Sequence, residues 1–203
     1  MPLSPQSTQR ALKHTRAIQI KAFARDDGLW DIDAHRTDIK TRDTTLDSGI
    51  RSARQPVHDL WVRITLGTAL NIIDAEAATN AVPYPNYCNS IDPGHKKLVG
   101  VNLLKSFHHG VNQRISGING IHITELAAVL PTATIQAFAG YVLDTRDGVS
   151  THEQSYKPFQ LDRCHASRTD GEAVAKFFHA GRSSHWQYQN PVNFNQFIFS
   201  ISV

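Results

Sequence analysis

Three side chains of this 203-residue chain have the chemistry to hold a metal ion together, although they lie far apart in the sequence. Cys88 follows a Pro-Tyr-Pro stretch in a predicted loop, Cys164 precedes a predicted helix, and His122 stands near the start of an apolar helix. Two thiolates and one imidazole suit zinc with one open coordination position. Asp59 or Asp92 is the candidate fourth ligand. Our first hypothesis is therefore a metal-binding or scaffold-like protein.

A second hypothesis uses the same region for catalysis without a cofactor. His122 or His58 would act as the general base, and Cys88 as the nucleophile or a bystander. The substrate would be a small organic acid or a thioester, held in a pocket between sheet and helices. The structural alternative is that the cysteines are small buried hydrophobic side chains and that His122 is a packed histidine bonded to the backbone.

A third group of polar residues lies on a predicted strand. Asp31, Asp33 and His35 alternate with apolar residues, so all three share one face, where they could hold a metal ion or move protons. The alternative is a solvent-exposed outer face. His58 and Asp59 are neighbours, and adjacent strand residues point to opposite faces, so we expect no direct pair between them. The sequence contains no nucleophile elbow, P-loop, dinucleotide fingerprint or HExxH motif.

Period-two alternation predicts two β-hairpins that would position these residues. The first joins strands at Thr15–Arg25 and Leu29–Lys40 through an Asp-Gly turn. A polar connector covers Thr41–Gln55, and the second hairpin joins strands at Leu60–Leu66 and Leu70–Thr79. Together they predict a four-stranded antiparallel sheet with one face that must be covered.

Segments with helical periodicity follow the predicted strands, and we expect these helices to cover one face of the sheet. Apolar residues recur at helical spacing from Leu98 to Val111, and Ile121–Leu143 is apolar almost all round. Pro131 should kink or split that second helix, and Thr169 with Glu172 forms a capping box for a last one. Strands followed by helices predict an α+β fold, with two hairpins forming a four-stranded sheet that three to four helices cover on one face.

The domain organisation predicted from these patterns is a single α+β domain at residues 15–180. Residues 1–14 form a flexible tail, and residues 181–203 form an atypical C-terminal segment. Phe194–Val203 is uncharged and strand-prone, so it is either a fifth strand at the sheet edge or an interface strand in a homo-oligomer. The interface reading gives a third hypothesis, a non-catalytic binding or assembly module.

The composition disfavours nucleic-acid-binding, membrane-spanning and secreted proteins. The formal net charge of +3 is scattered without a dense basic stripe, so we do not expect nucleic acid as a partner. No stretch approaches the roughly 20 apolar residues of a membrane span, and no signal-peptide core is visible. The presence of only two cysteines predicts a reducing, cytoplasmic location and disfavours a disulfide between Cys88 and Cys164.

Several strings along the chain resemble a bacterial domain-of-unknown-function family, DUF2889, from about His14 to Phe178. The strings are His14-Thr15-Arg16, Arg25 to Ile32, Val57 to Trp61, Pro83 to Cys88, His122 to Leu126, Leu130 to Ala133 and Leu161 to His165. The family has no established activity, so the resemblance implies kinship alone. One departure is Gly120, which stands where the family pattern has a cysteine two residues before the histidine.

The order of elements is also similar, more loosely, to that of U-type iron–sulfur scaffold proteins. This analogy implies that Cys88 and Cys164 correspond to the first and last cluster cysteines, whereas the middle cysteine is missing. It would make His122 the third ligand and zinc or an iron–sulfur cluster the cofactor, although clusters prefer thiolate ligands. A shared fold does not by itself imply a shared function.

Overall fold

The computed structural model describes residues 3–5, 7–85, 94–103, 107–115, 120–141, 161–162 and 165–177. The chain divides into two compact units, Met1–Pro131 and Thr132–Val203, and each is described separately. The first unit contains all six strands that the structure describes.

A four-stranded antiparallel sheet forms the centre of the first unit. Its strands are β1 (His14–Ala24), β2 (Trp30–Lys40), β5 (Pro56–Leu66) and β6 (Ile72–Ala81), with β3 (Thr44–Leu46) and β4 (Gly49–Arg51) between them in sequence. The order across the sheet is β1-β2-β5-β6, which confirms both predicted hairpins. The polar connector Thr41–Gln55, for which no strand was predicted, contains β3 and β4, which pair as a separate two-stranded sheet.

Local chemistry explains the first hairpin. Gly28 adopts a positive φ of 80°, which costs glycine little, and Arg25 N donates to Leu29 O at 2.9 Å to close the turn. Asp27 Oδ1 also accepts a hydrogen bond from Leu29 N, which holds the turn from its side. This turn sets the register of the two strands that it joins. β1 and β2 pair without a shift from Ala24 opposite Trp30 to His14 opposite Lys40.

The sheet has one buried face and one partly exposed face. In β2 the buried positions are Ile32, Ala34, Arg36 and Asp38, while the residues between them are partly exposed. Apolar side chains of β5 and β6 continue the buried face, namely Leu60, Val62, Ile64, Leu66, Ile72 and Ala75. Burial of each large aliphatic side chain contributes about 1.5–3 kcal/mol, so this face stabilises the sheet.

Helices follow the sheet in the first unit. A 3-10 helix spans Gly94–Leu98, α1 spans Phe107–Ile115, and α2 spans Gly120–Phe138. Leu126 and Leu130, four residues apart, are fully buried on one side of α2. Pro131 was predicted to kink or split this helix; α2 runs through Pro131, so the split is wrong and the kink stays a prediction.

The second unit contains the end of α2, a 3-10 helix at His165–Ser167 and α3 (Glu172–Phe177). Among the described residues, none of the helices combines the length and the hydrophobicity needed to cross a bilayer. The α+β class and the four-stranded sheet are confirmed, whereas the cover of three to four helices over one sheet face stays a prediction.

Candidate functional site

A group of ionisable side chains meets at one end of the buried sheet face. We call it the Asp38 cluster, and its members are His14, Arg16, Arg36, Asp38, His58 and Glu125. The strand register creates it, because Asp38 on β2 lies directly opposite Arg16 on β1 and His58 on β5. Arg36 precedes Asp38 by two residues and therefore shares its face. Glu125 comes from the second turn of α2.

The Asp38 carboxylate is the centre of the cluster. Arg16 Nε donates to Oδ1 at 2.8 Å, and His14 Nε2 lies 2.9 Å from the same oxygen. Arg36 Nη2 donates to Oδ2 at 2.5 Å, and His58 Nδ1 lies 3.6 Å from that oxygen. The Asp38 side chain is only 5% exposed, so these partners replace nearly all of the water that would otherwise solvate its charge.

Glu125 joins the two arginines from the helix side. Arg16 Nη1 donates to both Glu125 oxygens, at 3.0 and 3.2 Å, and Arg36 Nη1 lies 3.3 Å from Oε2. Two guanidinium groups thus alternate with two carboxylates, and their charges balance when the histidines are neutral. These ion pairs tie α2 to β1 and β2 over a sequence separation of 109 residues between Arg16 and Glu125.

The surroundings of Asp38 keep its carboxylate ionised. Burial on its own raises the pKa of Asp38, but the hydrogen bond from Arg16 and the positive charges of Arg36 and Arg16 outweigh it, and the pKa falls below its ordinary value. The hydrogen bond to Asp38 in turn raises the pKa of Arg16. A carboxylate anion therefore faces both histidines at neutral pH.

This lowered pKa predicts how stability depends on acid. Because the pKa of Asp38 is lower in the folded than in the unfolded chain, its ionised form stabilises the fold above the unfolded value, and that contribution is lost as the pH falls through the folded value. We expect the free energy of unfolding to decrease below about pH 4. The decrease should be less steep in Asp38→Asn, as measured by urea denaturation across the acid range.

The matched control is Asp47→Asn, because the Asp47 side chain is exposed. This variant should keep the wild-type dependence on pH. An Asp38→Asn variant with the same acid slope as the wild-type protein would contradict the lowered pKa.

A second polar arrangement lies on the other face of the sheet. His35 Nε2 is 2.8 Å from Asp59 Oδ1, and the imidazole stacks on the indole of Trp61 with ring centroids 3.8 Å apart and planes 9° apart. Arg63 donates two hydrogen bonds to Asp33, at 2.6 and 2.8 Å. This face therefore carries several side-chain pairs, each satisfied across neighbouring strands.

The predicted group of Asp31, Asp33 and His35 shares one face of β2, but each member has its own partner. Asp31 accepts a hydrogen bond from Thr65 Oγ1 at 2.7 Å, while Asp33 pairs with an arginine and His35 with an aspartate. His58 and Asp59 point to opposite faces of β5, as expected, since His58 faces Asp38 and Asp59 bonds to His35.

The predicted metal ligands fall mostly outside the described residues. Cys88, Asp92 and Cys164 all lie there, and the structure describes the backbone of His122 in α2 but not its side chain. Within the described part of the chain, no group of three or more His, Cys, Asp or Glu residues is placed to hold a metal ion. A site made of these residues, with Asp59 as a further ligand, stays a prediction.

Sequence reasoning missed five members of the Asp38 cluster, namely His14, Arg16, Arg36, Asp38 and Glu125. A signal was available for two of them, because the alternation that buries Ile32 and Ala34 continues to Arg36 and Asp38. No local pattern links Glu125 to β1.

These features define an α+β protein whose four-stranded antiparallel sheet carries a buried ion-pair cluster at one end. A family model described as "Protein of unknown function (DUF2889)" matches residues 14–136, and the chain belongs to this family. The match includes every residue of the Asp38 cluster. No curated protein and no solved structure matches the chain, so the analogy with U-type iron–sulfur scaffold proteins gains no support.

Proposed function

We propose that the Asp38 cluster is an acid–base site that binds a small organic acid, or its thioester, and exchanges a proton with it through a histidine. The observation that carries this proposal is the convergence of two guanidinium groups and two imidazoles on one buried carboxylate. Ionisable groups with shifted pKa values that lie close together, such as Asp38 and Arg16, are typical of functional sites.

The cluster has a buried floor and a rim that solvent reaches. Arg36 and Asp38 are buried, whereas the side chains of His14 and Arg16 are each 43% exposed and that of Glu125 is 34% exposed. An anion arriving from solvent would therefore meet Arg16 first. Arg16 Nη1 already donates to both oxygens of Glu125, so its guanidinium group contacts a carboxylate at this exposed rim, which supports a role in binding an organic acid.

His58 is the residue to which we assign the proton transfer. Its Nδ1 faces the ionised Asp38, which stabilises the positive charge that the imidazole gains when it takes up a proton. His14 is an alternative proton carrier with a shorter contact to the same carboxylate. His122, the other general base predicted from the sequence, belongs to the same helix as Glu125 and is kept as a further candidate.

Other hypotheses depend on residues that the structure does not describe. Metal binding by Cys88, His122 and Cys164, a nucleophilic role of Cys88, and assembly through residues 181–203 stay predictions from the sequence, as does a cytoplasmic location. No contact among the described residues favours one of them over the Asp38 site.

Exchange of hydrogen for deuterium tests the proposed chemistry without knowledge of the full reaction. The full chain would be incubated in D₂O with acetate, succinate or acetyl-coenzyme A. The base removes a proton from the carbon next to the carbonyl group, the electron pair moves to the carbonyl oxygen to give an enolate that the positive charge of Arg16 would stabilise, and a deuteron from the solvent is returned to the same carbon. We expect at least one probe to bind with a dissociation constant of about 1 mM or lower and to incorporate deuterium, both followed by NMR.

Variants separate proton transfer by His58 from ligand binding by Arg16. His58→Gln should reduce the exchange rate about 100-fold or more while leaving probe binding nearly unchanged, whereas Arg16→Gln should weaken binding about tenfold. The exposed residues His165 and Arg42 provide the matched controls His165→Gln and Arg42→Gln, which should behave as wild type. Absence of binding by all three probes, or exchange that His58→Gln leaves unchanged, would overturn the proposal.

A further inference from the structure

A row of three residues crosses the exposed sheet face next to the paired His35 and Asp59. His35 on β2, Trp61 on β5 and Ala78 on β6 are direct cross-strand neighbours. The imidazole of His35 covers one face of the indole, with the ring planes only 9° apart. On its other side Trp61 neighbours Ala78 of β6, which is exposed and carries only a methyl group. This side of Trp61 therefore has room for another ring.

A depression lies at this position. It has a volume of about 190 Å³ and is lined by Asp33, Trp61, Val62, Arg63, Glu76 and Ala78. Clefts that enclose drug-sized ligands measure about 300–1,000 Å³, so this one suits a single small ring system. Stacking on a flat indole favours a planar aromatic ligand over an aliphatic one.

The charges around the depression favour a ligand that donates hydrogen bonds. Arg63 is held by two hydrogen bonds from its guanidinium group to Asp33, which raise its pKa further above the ordinary value and fix its position. Glu76 lies opposite Arg63 on β6, and among the described residues it has no hydrogen bond or ion pair. Its carboxylate is therefore an available acceptor at the edge of the depression.

The positive groups near Glu76 make their hydrogen bonds with other carboxylates. Arg63 attracts Glu76 electrostatically but donates both of its hydrogen bonds to Asp33. Lys96 Nζ is bonded to Asp74 at 2.7 Å. Burial lowers the pKa of His95, so its imidazole adds little positive charge beside Glu76 at neutral pH. The lining thus keeps one net negative charge from Asp33, Arg63 and Glu76, which disfavours anionic ligands.

We propose that this depression binds a planar heteroaromatic ring bearing an amino group, as a free small molecule. The ring stacks on the open face of Trp61, and its amino group donates a hydrogen bond to Glu76. Asp59 orients the imidazole of His35, and His35 stacks on the opposite face of the Trp61 indole. Both are therefore positioning residues for Trp61. The site lies on the other sheet face from the Asp38 cluster and does not depend on the function proposed for it.

Adenosine and purine riboside provide a matched pair of probes, because they differ only in the amino group, which purine riboside replaces with a hydrogen atom. Binding to the isotope-labelled full chain would be followed through the Trp61 indole signal by NMR. We expect adenosine to bind about tenfold or more tightly than purine riboside, since only the amino group of adenosine can donate a hydrogen bond to Glu76. Glu76→Ala should remove this preference, and Trp61→Ala should weaken adenosine binding roughly 5- to 150-fold, the range of base–aromatic stacking.

A variant that fills the depression provides a second test in case Trp61→Ala does not fold. Ala78→Leu adds a side chain at an exposed position beside the indole and should abolish adenosine binding, whereas Asn80→Leu, at an exposed position farther along β6, should not. Adenosine that does not shift the Trp61 signal, or that binds equally well to Ala78→Leu, would overturn the site. Tighter binding of an oligoadenylate than of adenosine would overturn the assignment to a free small molecule.

Discussion

Replacement of Asp38 by alanine is expected to lower the free energy of unfolding by about 3–5 kcal/mol. Arg36 is fully buried in the folded protein, and in this variant its guanidinium group loses the carboxylate that it contacts most closely. A charge that is buried without adequate compensation is costly, and His14 and Arg16 lose a partner at the same time. Urea denaturation at neutral pH measures the effect.

Asp33→Ala is the matched control for this experiment. Asp33 lies on the same strand and also pairs with an arginine, but the guanidinium group of Arg63 is half exposed. Exposed ion pairs contribute about 1 kcal/mol or less, so the control should cost correspondingly little. Equal losses in Asp38→Ala and Asp33→Ala would show that burial of the cluster adds nothing to its energetic importance.

A double variant identifies the cause of the loss. If the uncompensated charge of Arg36 is responsible, Arg36→Met combined with Asp38→Ala should be less destabilised than the sum of the two single variants, with an interaction free energy of about 1 kcal/mol or more. Strict additivity would argue against direct coupling between the two side chains.

The second large effect is expected from truncation of the apolar side chain beside the cluster on α2. Leu126 is fully buried and directly follows Glu125 in the helix. Leu126→Ala removes buried methyl groups and leaves a cavity, for which the typical cost is about 2–5 kcal/mol. Because the same turn of helix carries Glu125, the ion pairs with Arg16 and Arg36 should weaken as well. Thermal or urea denaturation measures the change.

Leu12→Ala is the control of the same residue type, since the Leu12 side chain is 68% exposed. Its truncation should alter stability by no more than about 0.5 kcal/mol. If Leu126→Ala cost no more than Leu12→Ala, burial of this side of α2 would contribute little to the first unit.

The sheet could be predicted because the signals that specify it are local. The Asp-Gly turn and the alternation on both sides of it gave strands at Thr15–Arg25 and Leu29–Lys40, each within one residue of β1 and β2. The pair β3 and β4 was missed because its residues show no apolar alternation. The end of α2 at Phe138 was placed five residues too far along the chain, because the apolar sequence continues beyond it.

The candidate site was harder to predict because its energetics are not local. The alternation was followed through Ile32 and Ala34, and the charged residues beyond them were not considered as buried ones. Burial of Arg36 and Asp38 is stable only with partners from β1 and from α2, and the most distant of these, Glu125, is not marked by any pattern near β2. His58 was selected for its chemistry, but its carboxylate partner became apparent only from the strand register.

Strand β2 carries Arg36 and Asp38 of the Asp38 cluster on one side, and His35, which stacks on Trp61, on the other. Loss or gain of a single residue within this strand would exchange its two sides and move Asp31, Asp33 and His35 into the interior. The genes of family members should therefore tolerate codon substitutions in β2 far better than insertions or deletions. Length variation should instead accumulate in the connections between strands, outside the paired residues of the sheet.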